Sequence, residues 1–277
     1  MNFALHAALE LAGIGTVILV AMMFLLWLLH LRLRNAGYVD IGWAYGLGIL
    51  AVVYAWAAPG LLASENAGNG SSLRRWTLAA MVVVWSVRLG THLLLRIAGH
   101  PEEGRYVQLR KQWGKSASWK FLPFFEAQAI LDVLLSLPFL LVCVDPSTTP
   151  LGAWQWAGIG VWLIAVVGEG IADAQLSRFK RTAKPGEVCR AGLWNYSRHP
   201  NYFFEWLVWM GWAVFAFSAP WGWLGFLSPA LMLLFLFRVT GIPATEAQSL
   251  RSKGDAYREY QRTTSAFFPW PHKKGNA

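Results

Sequence analysis

The densest chemistry in the chain is the run Gly192-Leu193-Trp194-Asn195-Tyr196-Ser197-Arg198-His199-Pro200-Asn201-Tyr202-Phe203-Phe204-Glu205-Trp206. Amide, hydroxyl, guanidinium, imidazole and carboxyl groups crowd there against the start of an apolar stretch. Pro200 ends a preceding helix and favours a fresh start at Asn201. The first amides of that helix have no partner within it and carry the positive end of its dipole. Arg190, Arg198 and His199 add donors, so the place suits an anionic cofactor. Glu205, one turn further on, is an acceptor able to hold an amide or amine. Interface anchoring by Tyr and Arg alone does not need so many polar types.

Four other groups carry chemistry. Glu169 and Asp173 stand four residues apart, on one helix face, with Arg178, Lys180 and Arg181 directly after them. Solvated acids and a charge-paired site account for them equally well. Asp40, in Asn35-Ala36-Gly37-Tyr38-Val39-Asp40-Ile41-Gly42-Trp43, is either a helix N-cap or an acid at the mouth of a pocket with Tyr38 as phenol donor. Arg88, His92 and Arg96 follow one another at four-residue steps, and Asp132 lies in a separate apolar run with Gln128 one turn earlier. Charges at membrane depth cost about 2.5–3.5 kcal/mol each on insertion scales. The expectation is therefore an Arg88–Asp132 pair locking two helices; a polar cavity wall is the alternative. After Gly241-Ile242-Pro243-Ala244-Thr245-Glu246 an amphipathic stretch runs to about Gln261, and Tyr257 and Tyr260 share a face of it. It reads as an interfacial helix folded under the bundle, or as a cap over a cofactor.

The elements that must position these groups are membrane helices. The chain has 277 residues, 56% hydrophobic and 14% charged, with 17 Trp and 16 Phe, too little charge for a soluble surface. Seven spans are expected: Leu11–Leu31, Ile41–Ala58, Trp76–Ile97, Phe121–Val144, Trp154–Ile171, Tyr202–Phe217 and Trp221–Phe237. The first is too long for a signal-peptide core and is followed by Arg32 and Arg34 rather than by a cleavage site. If the spans alternate, 21 of the 24 Lys and Arg, including Lys273 and Lys274, fall on one side; Arg74 and Arg75 fall on the other, and Arg88 lies within a span. The positive-inside rule makes the basic side cytoplasmic, the N-terminus outside and the C-terminus inside. The net charge of +9 thus speaks of topology rather than of nucleic acid. The chain reads as one all-α membrane domain over residues 1–277, with residues 169–271 carrying the cofactor motifs.

Several classes drop out. No Gly-x-Gly-x-x-Gly follows a strand and no Walker loop occurs. Cys143 and Cys189 fall on opposite faces, which argues against a disulfide, and no Cys/His cluster has metal-ligand spacing. There are no related halves of the kind transporters carry.

Taken together, Glu169/Asp173, Lys184-Pro185-Gly186, Arg190, Gly192-Leu193-Trp194, Arg198-His199-Pro200-Asn201-Tyr202, Glu205-Trp206 and Tyr257…Tyr260…Phe268-Pro269 resemble the steroid 5α-reductase family, in its bacterial branch. The resemblance covers most of the chain and is strongest from Glu169 to Pro271. It implies a seven-span enzyme, in the inner membrane of a bacterial cell, that takes NADPH from the cytoplasmic side. Hydride would pass to the β-carbon of an α,β-unsaturated ketone such as a 3-oxo-Δ4 steroid, a lipid-soluble substrate entering from the bilayer. The resemblance gives cofactor roles to Asp173, Arg190, Asn201 and Glu205. It puts Glu169 where the family can carry Asn, Arg105 in the loop after the third span and Arg238 at the end of the seventh. Arg178, Lys180, Asn195, Arg198, His199, Tyr202, Tyr257 and Tyr260 complete the candidate cofactor set. At the substrate end the family carries Gln-Glu near the start of span two and a Tyr in span three. Here Val39-Asp40 and Leu93 beside His92 stand in those places, so Asp40 and Tyr38 are the catalytic candidates. The Arg-His-Pro-Asn-Tyr piece alone also resembles isoprenylcysteine carboxyl methyltransferases, which use S-adenosylmethionine. Asp173, Glu205 and the span count favour the reductase.

Overall fold

The computed structural model describes residues 2–62, 69–239 and 241–271; Lys273 and Lys274 of the basic tail lie outside them. The chain is 81% helical, and among the described residues its extended backbone makes one isolated bridge, Ser197 with Ser265. It divides into two compact units, Met1–Gln155 with Phe215–Gly225, and Trp156–Val214 with Phe226–Ala277.

The first unit holds α1 (Asn2–Leu33), α2 (Tyr38–Leu61), α3 (Asn69–Ile97), α4 (Gly104–Trp113), α5 (Ala117–Leu135) and α6 (Leu137–Cys143). α2 packs on α1, α3 and α5, and small residues let the helices approach closely. A Cβ on Gly46 of α2 would lie 2.6 Å from Asp132 Oδ2 of α5. Ser86 of α3, against Gly48, donates to the Ala44 carbonyl at 2.8 Å. Arg74 is held by Asp145 at 2.7 Å, both side chains nearly buried.

The expected Arg88–Asp132 pair does not form. Asp132 is fully buried and neither of its carboxyl oxygens has a hydrogen-bond partner. The reason is helix order: α5 packs on α1 and α2, whereas α3 packs on α2 and α6. Asp132 therefore meets Gly46 among Leu19 and Met22 side chains.

The second unit holds most of α7 (Ala153–Thr182) and α8 (Pro200–Ala216), with α9 (Leu227–Arg238), α10 (Ile242–Lys253) and α11 (Asp255–Thr263). Gly168 of α7 faces the Phe204 ring of α8, and Gly211 of α8 faces Trp162 of α7. A side chain at Gly211 would meet the α7 backbone at Trp162 and Gly158 and push the two helices apart, whereas one at Gly168 would displace the Phe204 ring. Cys143, in the first unit, and Cys189, in the second, are both buried free thiols.

Five helical stretches have the length and apolarity to cross a membrane: Ala4–Leu33, Tyr38–Leu61, Ser71–Ile97, Ala153–Thr182 and Gly222–Lys253. Gly104–Leu135 with Leu137–Cys143, bent by 46°, makes a sixth. The bend follows from Pro138, which has no N–H for the helix ladder just beyond Ser136. α8 is helical where the sixth span is expected, but its 17 residues rise about 26 Å, short of the roughly 30 Å hydrocarbon core. The chain is a multi-pass membrane protein with five or six helices of crossing length among its described residues.

Candidate functional site

In the first unit the chemistry gathers around Asp40, in the first turn of α2. The N-cap position belongs to Gly37, so Asp40 is free of capping duty. Its Oδ1 accepts a hydrogen bond from the Tyr106 hydroxyl at 2.8 Å, and its Oδ2 accepts one from the Arg105 guanidinium. Tyr106 is 2% exposed and lies under the Arg105 guanidinium, 4.7 Å from ring centroid to Cζ. Glu103 joins the cluster, 3.4 Å from Arg105 Nε and 2.6 Å from Arg96. Tyr38 packs instead into the apolar cluster of Ile41, Ala44, Leu93 and Ile97. The phenol beside Asp40 is therefore Tyr106, whose one sequence signal was its place next to Arg105. Arg105, assigned by resemblance to the cofactor, sits with Asp40.

The segment before α2 is clamped onto the loop that follows α3. Asn35 Nδ2 donates to the His100 carbonyl at 3.2 Å, and the Ala36 amide donates to Glu102 at 2.8 Å. Glu102 is gripped by Arg110 at 2.7 Å. Burial alone would raise the Glu102 carboxyl; the Arg110 and Ala36 donors outweigh it and hold the group below its ordinary value. This clamp fixes where α2 begins and so where Asp40 points. Further along, an apolar groove between α2 and α3 is lined by Tyr45, Ile49, Val52, Val83 and Val87.

In the second unit the dense polar run is built in layers. Gly192 adopts φ +56°, and a Cβ there would strike Gln175. Gln175 instead accepts the Leu193 amide at 2.9 Å, while Trp194 Nε1 donates to the Ala172 carbonyl at 2.9 Å. These bonds pin the segment to α7. Ser197 Oγ accepts the His199 amide at 3.1 Å just before α8 starts at Pro200. The first backbone bond of α8 runs from the Phe203 amide to the His199 carbonyl at 3.0 Å. The amides of Asn201 and Tyr202 are thus left without intrahelical acceptors.

The C-terminal segment wraps this corner. Ser197 Oγ donates to the Phe267 carbonyl at 2.8 Å, the Arg198 amide to the Ser265 carbonyl at 2.8 Å, and the Tyr260 hydroxyl to the Trp194 and Ser197 carbonyls. Arg198 Nε meets Glu246 at 2.7 Å, and Nη1 reaches the carbonyls of Gln261 and Thr264 at 3.1 and 2.5 Å. His199 Nε2 is 3.3 Å from the same carboxylate, and its ring stacks on Tyr202. Tyr202 Oη lies 3.1 Å from Thr245 Oγ1. Arg198, His199 and Tyr202 therefore bond the chain's own tail, Tyr260 of that tail bonds back to the run, and Glu246 and Gln261 are members of this network that sequence reading missed. Burial pushes the Tyr257 hydroxyl up to about 12 and raises that of Tyr260, so both are neutral donors at physiological pH.

The remaining candidates divide by exposure. Arg178, Lys180, Arg190 and Arg238 are exposed; Asp173, Asn195, Asn201 and Glu205 are half-buried; Glu169 is buried. Arg190 lies over the Tyr260 ring at 5.5 Å. Glu205 Oε1 accepts from Trp209 Nε1 at 3.3 Å. Among the described residues no three His, Cys, Asp or Glu side chains gather to hold a metal ion.

A family model described as "Protein of unknown function (DUF1295)" matches residues 26–264. An uncharacterised protein, C594.04c, of Schizosaccharomyces pombe is 26% identical over 232 residues, 73% of this chain and 65% of that protein. Steroid 5-alpha-reductase DET2 of Solanum lycopersicum is 32% identical over 77 residues, 26% of this chain and 28% of that protein. The chain thus spans less than two thirds of the length of either relative. No solved structure matches it.

Proposed function

The chain belongs to the DUF1295 family, and on that footing we propose that it is an NADPH-dependent membrane reductase of the C=C bond of an α,β-unsaturated ketone carried on a steroid-like lipid. The observation that carries this reading is the Asp40–Tyr106 pair: a buried phenol held by a carboxylate at the end of a membrane helix. The local likeness to a steroid 5-alpha-reductase supports it.

The donor chemistry of the second unit fits a phosphorylated nucleotide. Exposed Arg178, Lys180 and Arg190, with the Asn201 and Tyr202 amides at the α8 N-terminus, are the groups that hold phosphate elsewhere in proteins. Asp173, Asn195 and Glu205 suit amide and hydroxyl groups. NADPH, when bound, supplies the hydride. The protein's own part is at the ketone. Tyr106 gives its one hydrogen to Asp40 in the resting site; when substrate binds, the O–H turns to the ketone oxygen and stabilises the enolate that develops as the β-carbon takes the hydride. Protonation at the α-carbon completes the reduction. The groove between α2 and α3 suits lateral entry of an apolar substrate from lipid. We take α8 as a seventh crossing, with the basic face and the nucleotide groups on the cytoplasmic side.

The test is binding and turnover on purified protein. NADPH, NADH and S-adenosylmethionine are titrated side by side, and oxidation of the reduced nicotinamide is followed with a panel of enones. Binding of NADPH with enone-dependent oxidation is expected. Binding of S-adenosylmethionine without NADPH would replace this reading by a methyltransferase.

A further inference from the structure

We infer that Arg105 is a positioning residue for Asp40 and not a ligand of the nucleotide; this rests on the proposed reduction and assigns a role within it. Three contacts commit the guanidinium. It donates to Asp40 Oδ2, its Nε lies 3.4 Å from Glu103 Oε2, and its face covers the Tyr106 ring at 4.7 Å. Arg105 and Tyr106 are consecutive residues at the start of α4, and each takes a different oxygen of one carboxylate. A carboxylate held at both oxygens cannot turn about its last bond.

The consequence concerns which group donates to substrate. With Arg105 on Oδ2, Asp40 is an acceptor on both oxygens, and the proton in the cluster sits on Tyr106. The guanidinium is fully charged at any working pH and cannot give up a proton. It therefore favours Asp40 as an acceptor, and the phenol, whose one hydrogen rests on Asp40, is the group that can turn it to the ketone. The charged and titratable groups facing Asp40 are the Arg105 guanidinium and the neutral Tyr106 phenol of α4 and, just before that helix, Glu103, itself paired with Arg96 of α3. A phosphate drawn to Arg105 would have to displace Asp40 and Glu103, both of the same sign as itself.

The experiment compares Arg105→Gln and Arg105→Lys with wild type in three readouts. NADPH affinity, by titration, is expected to stay within about twofold of wild type in both variants. Turnover of the enone is expected to fall at least tenfold in Arg105→Gln at unchanged KM for NADPH, with partial recovery in Arg105→Lys, which restores one charged donor. The third readout needs no cofactor. Thermal unfolding of Arg105→Gln, Asp40→Asn and the double variant should show losses that do not add, because both remove one interaction. A tenfold loss of NADPH affinity with kcat preserved overturns the inference and returns Arg105 to the nucleotide. Additive unfolding shifts overturn it too. If wild type neither binds NADPH nor reduces any enone, the proposed function fails on wild type alone, and the unfolding cycle still decides whether Arg105 and Asp40 act as one.

Discussion

Arg198 Nε lies 2.7 Å from Glu246 Oε1, and this pair ties the entry of α8 to α10 with both side chains largely out of solvent. The same guanidinium holds two carbonyls of the tail, and Gln261 Nε2 donates to the second carboxylate oxygen at 2.8 Å. Every partner is satisfied from within the chain. Removing one member of a buried pair strands the other, at a cost of about 3–5 kcal/mol. Arg198→Ala should therefore lower the thermal unfolding midpoint sharply and make the segment after Arg238 sensitive to protease. A variant that melts like wild type would show that the tail is held by its aromatic contacts instead.

Tyr106 and Tyr38 are told apart by substitution. Only Tyr106 donates to Asp40, whereas Tyr38 packs among aliphatic side chains. Loss of a positioned acid costs about 10²–10⁴ in rate. Tyr106→Phe should lose turnover in that range with NADPH binding intact, and Tyr38→Phe should keep both. Equal losses in the two variants would remove the phenol assignment.

The contrast between those two tyrosines shows what the sequence carries and what it does not. Apolar runs and Pro200 announce helices because length, hydropathy and a missing amide are local properties, and α8 starts at Pro200 as that residue indicates. Tyr38 is two residues from Asp40 in sequence, but in a helix that spacing turns the two side chains to different faces. Tyr106 arrives from 66 residues away because the Asn35, Ala36 and Glu102 bonds bring the two segments together. No local pattern reports such a meeting. The acceptor for Arg198 is hidden in the same way: Glu246 lies in an unremarkable amphipathic stretch 48 residues on. Asp132 fails in the opposite sense. Charge complementarity suggested Arg88, and the packing order of the helices decided otherwise.

The exposed cations of the second unit should set preference for the phosphorylated nucleotide. A charge-assisted phosphate contact contributes about 1.5–3 kcal/mol, or roughly tenfold or more in affinity. Arg178→Gln, Lys180→Gln and Arg190→Gln are expected to weaken NADPH binding, and whichever meets the 2′-phosphate should leave NADH affinity unchanged. Titration of both nucleotides against each variant identifies that residue. If all three bind NADPH as wild type does, phosphate is held elsewhere.

The Glu102–Arg110 pair gives the first unit a pH dependence of known sign. The folded state holds Glu102 below its ordinary 4.5, through the donors of Arg110 and Ala36. A group depressed on folding stabilises the protein fully above its unfolded value, and that contribution is lost as pH falls through the folded one. Wild type should therefore be more stable than Glu102→Gln at neutral pH, with the gap closing below about pH 4.5. Unfolding midpoints measured over that range check it, and a gap that widens on acidification would contradict the pairing.

Asp132 and Gly46 should behave as one packing unit. Asp132 is wholly buried with no hydrogen-bond partner on either oxygen, so its side chain fills space without contributing a polar bond. A methyl group on Gly46 would lie 2.6 Å from Oδ2 and 3.2 Å from Leu19 Cδ2, closer than packed atoms tolerate. Overpacking of this kind costs about 1–3 kcal/mol. Gly46→Ala is therefore expected to destabilise, while Asp132→Asn, with the same shape, should not. Asp132→Ala vacates the space the new methyl needs. The double variant Gly46→Ala/Asp132→Ala should then unfold at a higher temperature than Gly46→Ala alone, a coupling that independent sites do not show. Additive losses in that cycle would mean that α2 and α5 do not meet through this residue pair.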